Sequence, residues 1–217
     1  MSDKKIVPFS ATPEMILEAV AAVARKTPWF SEALCPILIK MTIPNNFERV
    51  RAVLLEMAQQ IKGIEPADAE RYIKTDEFYE LFERALQHSA NEPDENKRKS
   101  YASFLANDLK LPHQPYIEKI SFLHDLEELP PDGIRLLKVL LLEPEGHVYV
   151  PLYEALQQRL PDLTMERIVE LSGQLEERGI ANFKNQTALL RSRRPWDLQV
   201  LITRHGQRLL SYILPGG

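Results

Sequence analysis

Cysteine is nearly missing from this sequence: Cys35 is the only one among 217 residues. A disulfide framework within the chain is therefore excluded, and such sparing use of cysteine fits a reducing compartment, the cytosol. Cys35 stands between an apolar run and Pro36 with no histidine near it in sequence, the setting of a packed thiol rather than an activated nucleophile. Glycine is scarce too. The eight glycines compose neither GxGxxG nor GxxxxGK followed by Ser or Thr, so phosphate cradles of those kinds are absent, and no GxSxG elbow presents a serine. The five histidines (88, 113, 124, 147 and 205) come no closer than His113 and His124, 11 positions apart, so no local metal pair exists. Long apolar runs are lacking as well. The most apolar stretch, "PWFSEALCPILIKMTIP" at 28–44, carries Glu32, Lys40 and three prolines and falls short of the ~20 residues a membrane span needs. It reads as buried core or as an apolar contact surface. The opening "MSDKKIVPFSATPEM" has no secretory apolar region, so export is not expected.

These absences leave no catalytic residue, no metal ligand set and no cofactor motif to name. Adjacent acids such as Glu127 with Glu128 and Glu176 with Glu177 point apart on a helix or at its end and cannot flank one scissile bond. An enzyme would need a site dispersed over the helical part, with His88, Tyr101 or His124 converging on acids.

What is present suffices for a core: 44% of the residues are hydrophobic and 27% charged, with a net charge of −4. Residues 13–126 read as one helix after another. In "NNFERVRAVLLEMAQQIKG", Asn46 can cap, Val50, Val53, Leu54, Met57 and Ile61 form one stripe, and Gly63 stands at the stop. In "TDEFYELFERALQHSAN", Thr75 can cap two acids in the first turn, and Phe78, Leu81, Phe82, Ala85 and Ser89 share a face. "DENKRKSYASFLANDLK" starts after Pro93 and should bury Tyr101, Phe104, Leu105 and Leu109, with its "ENKRKS" opening as a solvated face. Short connections favour an antiparallel bundle.

"LEELPPDG" at 126–133 reads as a boundary, with paired acids, paired prolines and Asp132 placed to cap a new helix. We therefore expect a helical bundle over 1–126 and a second domain over 127–217. The second domain opens with the apolar helix "DGIRLLKVLLLE", then a strand-like "HVYV" and a helix "PLYEALQQRL". The next helix, "TMERIVELSGQLEER", is punctuated at both ends. Leu163 before the capping Thr164 can staple onto Ile168, while Gly179 stands where a left-handed residue is wanted and Leu175 and Ile180 can touch across a Schellman ending. Boundaries at 164 and 178 follow. "IANFK", a polar "NQ" turn, "TALLRSRRPW", the alternating "LQVLIT" and the helix "RHGQRLLSYIL" complete the chain.

This order over residues 130–214, with "LEERGI" after the third helix and "ITRHGQRLL" entering the last, resembles the winged-helix superfamily of helix-turn-helix proteins. The resemblance implies a mainly α chain ending in a domain with a small antiparallel sheet. It also implies that 164–178 occupies the place of a DNA-reading helix and 191–196 that of the wing. At about 100° per residue, Glu170 lies about 40° and Glu177 about 20° from Glu166 on that helix. The outward stripe thus carries three carboxylates, flanked by Arg167, Gln174 and Arg178, with Ile168, Leu171 and Leu175 opposite. DNA affinity comes largely from Lys and Arg displacing counterions, so this face disfavours groove reading.

The segment "RSRRPW" (191–196) pulls the other way. From residue 178 onward there are seven basic residues against one acid, Asp197, a local balance of +6. Arg191, Arg193, Arg194 and Trp196, with Arg204 and Arg208 in the last helix, are the candidate contact residues. They suit a protein hot spot or phosphates gripped by a wing, or else they solubilise a hairpin while Trp196 anchors it on the core. The expectation is a cytosolic, non-enzymatic interaction or regulatory protein with a protein partner or a second copy of itself, DNA being the alternative.

Overall fold

The computed structural model describes residues 12–41, 46–141, 156, 158–184 and 199–216. The protein is mainly helical, with one small two-stranded antiparallel sheet. It divides into two units: unit 1 comprises Met1–His124 with Tyr212–Gly217, and unit 2 comprises Asp125–Ser211. The sequence suggested a single boundary near 126. Residues 212–217 group instead with the bundle, because Asn107 Nδ2 donates to the carbonyls of Tyr212 (2.9 Å) and Leu214 (2.8 Å) and so satisfies the carbonyls at that helix end.

Unit 1 is built from α1 (Pro13–Ala24), α2 (Pro28–Lys40), α3 (Phe47–Gln60), α4 (Pro66–Ile73), α5 (Asp76–Asn91), α6 (Glu95–Lys110) and the first part of α7 (Tyr116–Glu128). Thr75, expected as a cap from sequence, caps α5, and Asp94 caps α6. Thr75 Oγ1 accepts from Phe78 N at 3.2 Å, and Asp94 Oδ1 accepts from Lys97 N at 2.7 Å. Asn46 stands at the start of α3, but its side chain makes no capping bond. The expected stripes are buried: Val50, Val53, Leu54, Met57 and Ile61 on α3, and Phe78, Leu81, Phe82, Ala85 and Ser89 on α5. α2 buries Phe30, Leu34 and Leu38 and leaves Ile39 65% exposed, so the 28–44 stretch is core on one side only.

α6 departs from the one-sided pattern. Every residue from Ser100 to Leu109 is buried, because Ser100, Ala102, Ser103 and Ala106 are small enough for neighbours to close over the face opposite Phe104 and Leu105. α3, α4 and α5 all pack on it. The solvated reading of "ENKRKS" is corrected at Lys97, which is buried and paired with Glu92 at 3.4 Å, whereas Lys99 is exposed and pairs with Glu95 at 2.7 Å.

Unit 2 contains the end of α7, then α8 (Pro131–Leu141), α9 (Met165–Glu177), β1 (Ala181–Lys184), β2 (Gln199–Ile202) and α10 (Arg204–Ile213) up to Ser211. Asp132 lies inside the first turn of α8 and pairs with Arg135 at 3.1 Å, because Pro131 already occupies a helical position ahead of it; the expected cap is corrected. α8 buries Ile134, Leu136, Leu137 and Leu140 against α9, which supplies Ile168, Leu171 and Leu175. The ends of α9 follow the sequence signals. Thr164 caps Arg167 N, Gly179 has φ +65°, and its N–H reaches Glu176 O (2.9 Å) while Ile180 N reaches Leu175 O (2.9 Å). Both bonds of a Schellman ending are present.

β1 and β2 pair antiparallel with Ala181 opposite Ile202 and Phe183 opposite Val200. Ala181 and Phe183 are buried, while Asn182 and Leu201 are exposed, as the period of two requires. The strand and helix expected over 147–160 fall outside the described residues apart from 156 and 158–160, of which 156, 158 and 159 are helical. The "NQ" turn also lies outside them.

Candidate functional site

The exposed side of α9 is where the sequence placed its acid stripe. Glu166, Glu170 and Glu177 are all exposed. The basic residues beside them are engaged. Arg167 Nη1 sits 2.8 Å from Glu170 Oε2, with its Nε 3.8 Å from Asp132 Oδ2. Gln174 Nε2 donates to Glu170 at 3.5 Å. Arg178 turns away to Asp125 (3.6 Å) and Glu128 (3.5 Å) on α7. The positive charges that could soften this face toward a polyanion are thus already matched by acids of the same unit.

Thr203 positions the neighbouring end of α10. Its N–H donates to Ile180 O at 3.0 Å, its hydroxyl donates to Gly179 O at 2.6 Å, and the same oxygen accepts Gly206 N at 3.0 Å. One residue therefore caps α10 and ties it to the end of α9. Gly206 permits the approach: a Cβ there would lie 2.1 Å from Ile180 O and 2.9 Å from Ile202 Cγ2. Next to Thr203, Arg204 is exposed, and Arg208, one turn on, is half-buried. Arg191, Arg193, Arg194 and Trp196 lie outside the described residues.

A second group in unit 2 joins three helices. His205 Nε2 stands 2.7 Å from Asp125 Oδ2, and Arg178 approaches the other oxygen of the same carboxylate. Asp125 is buried, while His205 and Arg178 are about a third and a quarter exposed. Arg135 holds Asp162 through two parallel bonds of 2.7 and 2.8 Å, which draws the Asp162 carboxyl down to about 2. These pairs orient α7, α9, α10 and the turn before α9.

The polar group that sequence reasoning missed lies in unit 1. Lys119 on α7 has no solvent exposure, and its Nζ donates to Tyr72 Oη (2.7 Å), Glu77 Oε1 (2.9 Å) and Pro112 O (3.1 Å). Asp108, also fully buried, lies 3.1 Å from the same nitrogen and 3.0 Å from Tyr72 Oη. The ammonium also stands 4.2 Å from the Tyr72 ring centre. Burial, then the Asp108 and Glu77 charges, hold the Tyr72 phenol well above its ordinary range. Four separate segments supply these residues, so no local motif could have shown them. Lys119 and Asp108 give a substrate no access. His88 and His124, weighed as parts of a dispersed site, are exposed, and Tyr101 is buried.

Among the described residues no three His, Cys, Asp or Glu side chains gather as metal ligands, and no helix is long and apolar enough to cross a membrane. Compared with known proteins, the chain matches no family model, no curated protein and no solved structure.

Proposed function

We propose that this protein is a cytosolic, non-enzymatic interaction protein whose C-terminal part is a winged-helix-like module, and that α9 presents its acidic face to a basic protein surface rather than to DNA. The module reading is supported by the order α8, α9, β1, β2, α10, with β1 starting two residues after the glycine stop of α9 and β2 running straight into the Thr203 cap. One observation carries the partner reading. Glu166, Glu170 and Glu177 are exposed together, while Arg167 and Arg178 are paired to acids of their own unit. Duplex DNA carries about one negative charge per 1.7 Å, so a face of this sign repels it. A basic protein surface is attracted for the same reason. A second copy of the chain can supply that surface, since residues from 178 onward carry a balance of +6.

Sedimentation at low and moderate salt tests this, comparing the parent with E166Q/E170Q/E177Q and with R191A/R193A/R194A. The expected result is salt-sensitive self-association that both triple variants lose. A mobility shift with duplex DNA runs beside it. A strict monomer that shifts DNA at low salt, with the shift lost in the arginine variant, replaces this reading with a DNA-binding regulator gripping through 191–194, Arg204 and Arg208.

A further inference from the structure

The interior of unit 1 holds an unbalanced set of charges. Tyr72 on α4, Glu77 on α5, Asp108 on α6 and Lys119 on α7 meet within 3.2 Å of one another along the chain of contacts from Tyr72 Oη and Lys119 Nζ. With both carboxylates ionised, one ammonium faces two negative charges and the group carries −1. Asp108 and Lys119 are fully buried, so water screens neither, and Glu77 is one-third exposed. An uncompensated charge in such a place is costly, and the cheapest remedy is a proton.

Lys119 is the cation in contact with both carboxylates, while Arg84, further along α5, acts on Tyr116 together with Glu80 and Glu77. On α6 itself, Lys110 Nζ turns to Asn107 Oδ1 at 2.9 Å. From α3, Arg49 donates to the Ala90 carbonyl, Arg51 pairs with Glu18 and Glu48, and Glu56 accepts from Gln60. From the C-terminal end of α10, Tyr212 meets α6 through its carbonyl, held by Asn107, and through its ring beside Phe104. Asp108 is the more buried of the two carboxylates and the natural holder of the proton. Tyr72 cannot share the charge, since its phenol has one hydrogen to offer two carboxylates.

We propose that the Tyr72–Glu77–Asp108–Lys119 cluster is a proton-binding device that fastens α4 and α7 to α6 when protonated and loosens them when the proton leaves. Burial pushes the Asp108 carboxyl up to about 6, against the pull of Lys119 and Tyr72, which puts the change at mildly acidic to neutral pH. A carboxyl raised on folding stabilises the fold fully below its unfolded value, and that contribution disappears as pH rises through the folded value. Local opening of this part of the bundle is therefore about tenfold greater at pH 7.5 than at pH 5. Removing Asp108 abolishes the dependence, whereas removing Glu77, whose charge adds the smallest part of the rise, lowers it.

The test is hydrogen exchange of the full chain over residues 66–73 and 112–124 at pH 5 and 7.5, corrected for intrinsic exchange rates, with carbon-detected titration of the Asp108 carboxyl. In the parent, opening rises about tenfold at the higher pH and the carboxyl titrates near 6. In D108N the two pH values give the same opening, and in E77Q the rise is smaller than in the parent. If D108N fails to fold, the parent's opening and its Asp108 titration decide alone. Equal opening in the parent at both pH values, or a tenfold rise retained in D108N, overturns the proposal and leaves a fixed ion-pair network.

Discussion

Unit 1 and unit 2 handle their charges in opposite ways. The bundle takes a lysine and an aspartate entirely out of water, at the junction of four helices. Unit 2 keeps its ion pairs at the margin: Arg135 with Asp162, Arg167 with Glu170, and Arg178 with Asp125 and Glu128 all include a partly exposed partner. Among its described residues, backbone caps gather at Thr203 and at the Schellman end of α9. Exposed pairs are worth little because water competes for them, whereas a buried pair is costly to make and more costly to half-break. The contrast teaches where each unit is vulnerable: the bundle to loss of one charge, unit 2 to loss of a close backbone approach.

Lys119→Met is expected to break the comparison most visibly. It strands Asp108 and Glu77 without their cation, a loss of about 3–5 kcal/mol in urea unfolding at pH 7.5. The deficit shrinks toward pH 5, where Asp108 holds a proton. Arg135→Met, the corresponding cut in unit 2, shifts the midpoint far less, because Asp162 returns to water. Equal losses at the two sites would abolish the distinction.

Gly206→Ala probes the weak point of unit 2. The added methyl must displace the Ile180 carbonyl, and forced overpacking of this kind costs about 3 kcal/mol. Its signature is faster hydrogen exchange in 165–184 and 199–211, with the α3 and α5 amides protected as before. Global loss of protection in both units would mean that they unfold as one. Asn107→Ala gives a smaller effect than Gly206→Ala, about 1–2 kcal/mol, by leaving the Tyr212 and Leu214 carbonyls without their shared donor. Calorimetry should show the melting temperature falling while the exposed face of α9 keeps its exchange rates.

Much of this was legible before any coordinates. The ends of α9, the cap of α5, the stripes on α3 and α5 and the alternation of β2 all depend on residues a few positions apart, where propensity and periodicity act directly. The acid stripe of α9 was legible for the same reason: once the helix is placed, its turn assigns the faces. Two readings failed, at Lys97 and at Asp132. Lys97 looked solvated until Glu92 and the surrounding helices enclosed it. Asp132 looked like a cap, yet Pro131 already occupies the helix. The expected contact residues Arg191, Arg193, Arg194 and Trp196 lie beyond the described residues.

Sequence alone determined the run of helices and the sign of the charge that α9 carries outward. Each follows from the spacing of residues a few positions apart. Only the tertiary structure decided that Tyr72, Glu77, Asp108 and Lys119 share one dry enclosure, and that Asn107 closes a helix end 105 residues away. Helix packing brings such groups together from four segments, and the energy of a charge depends on the water excluded there, a quantity that one-dimensional spacing does not contain.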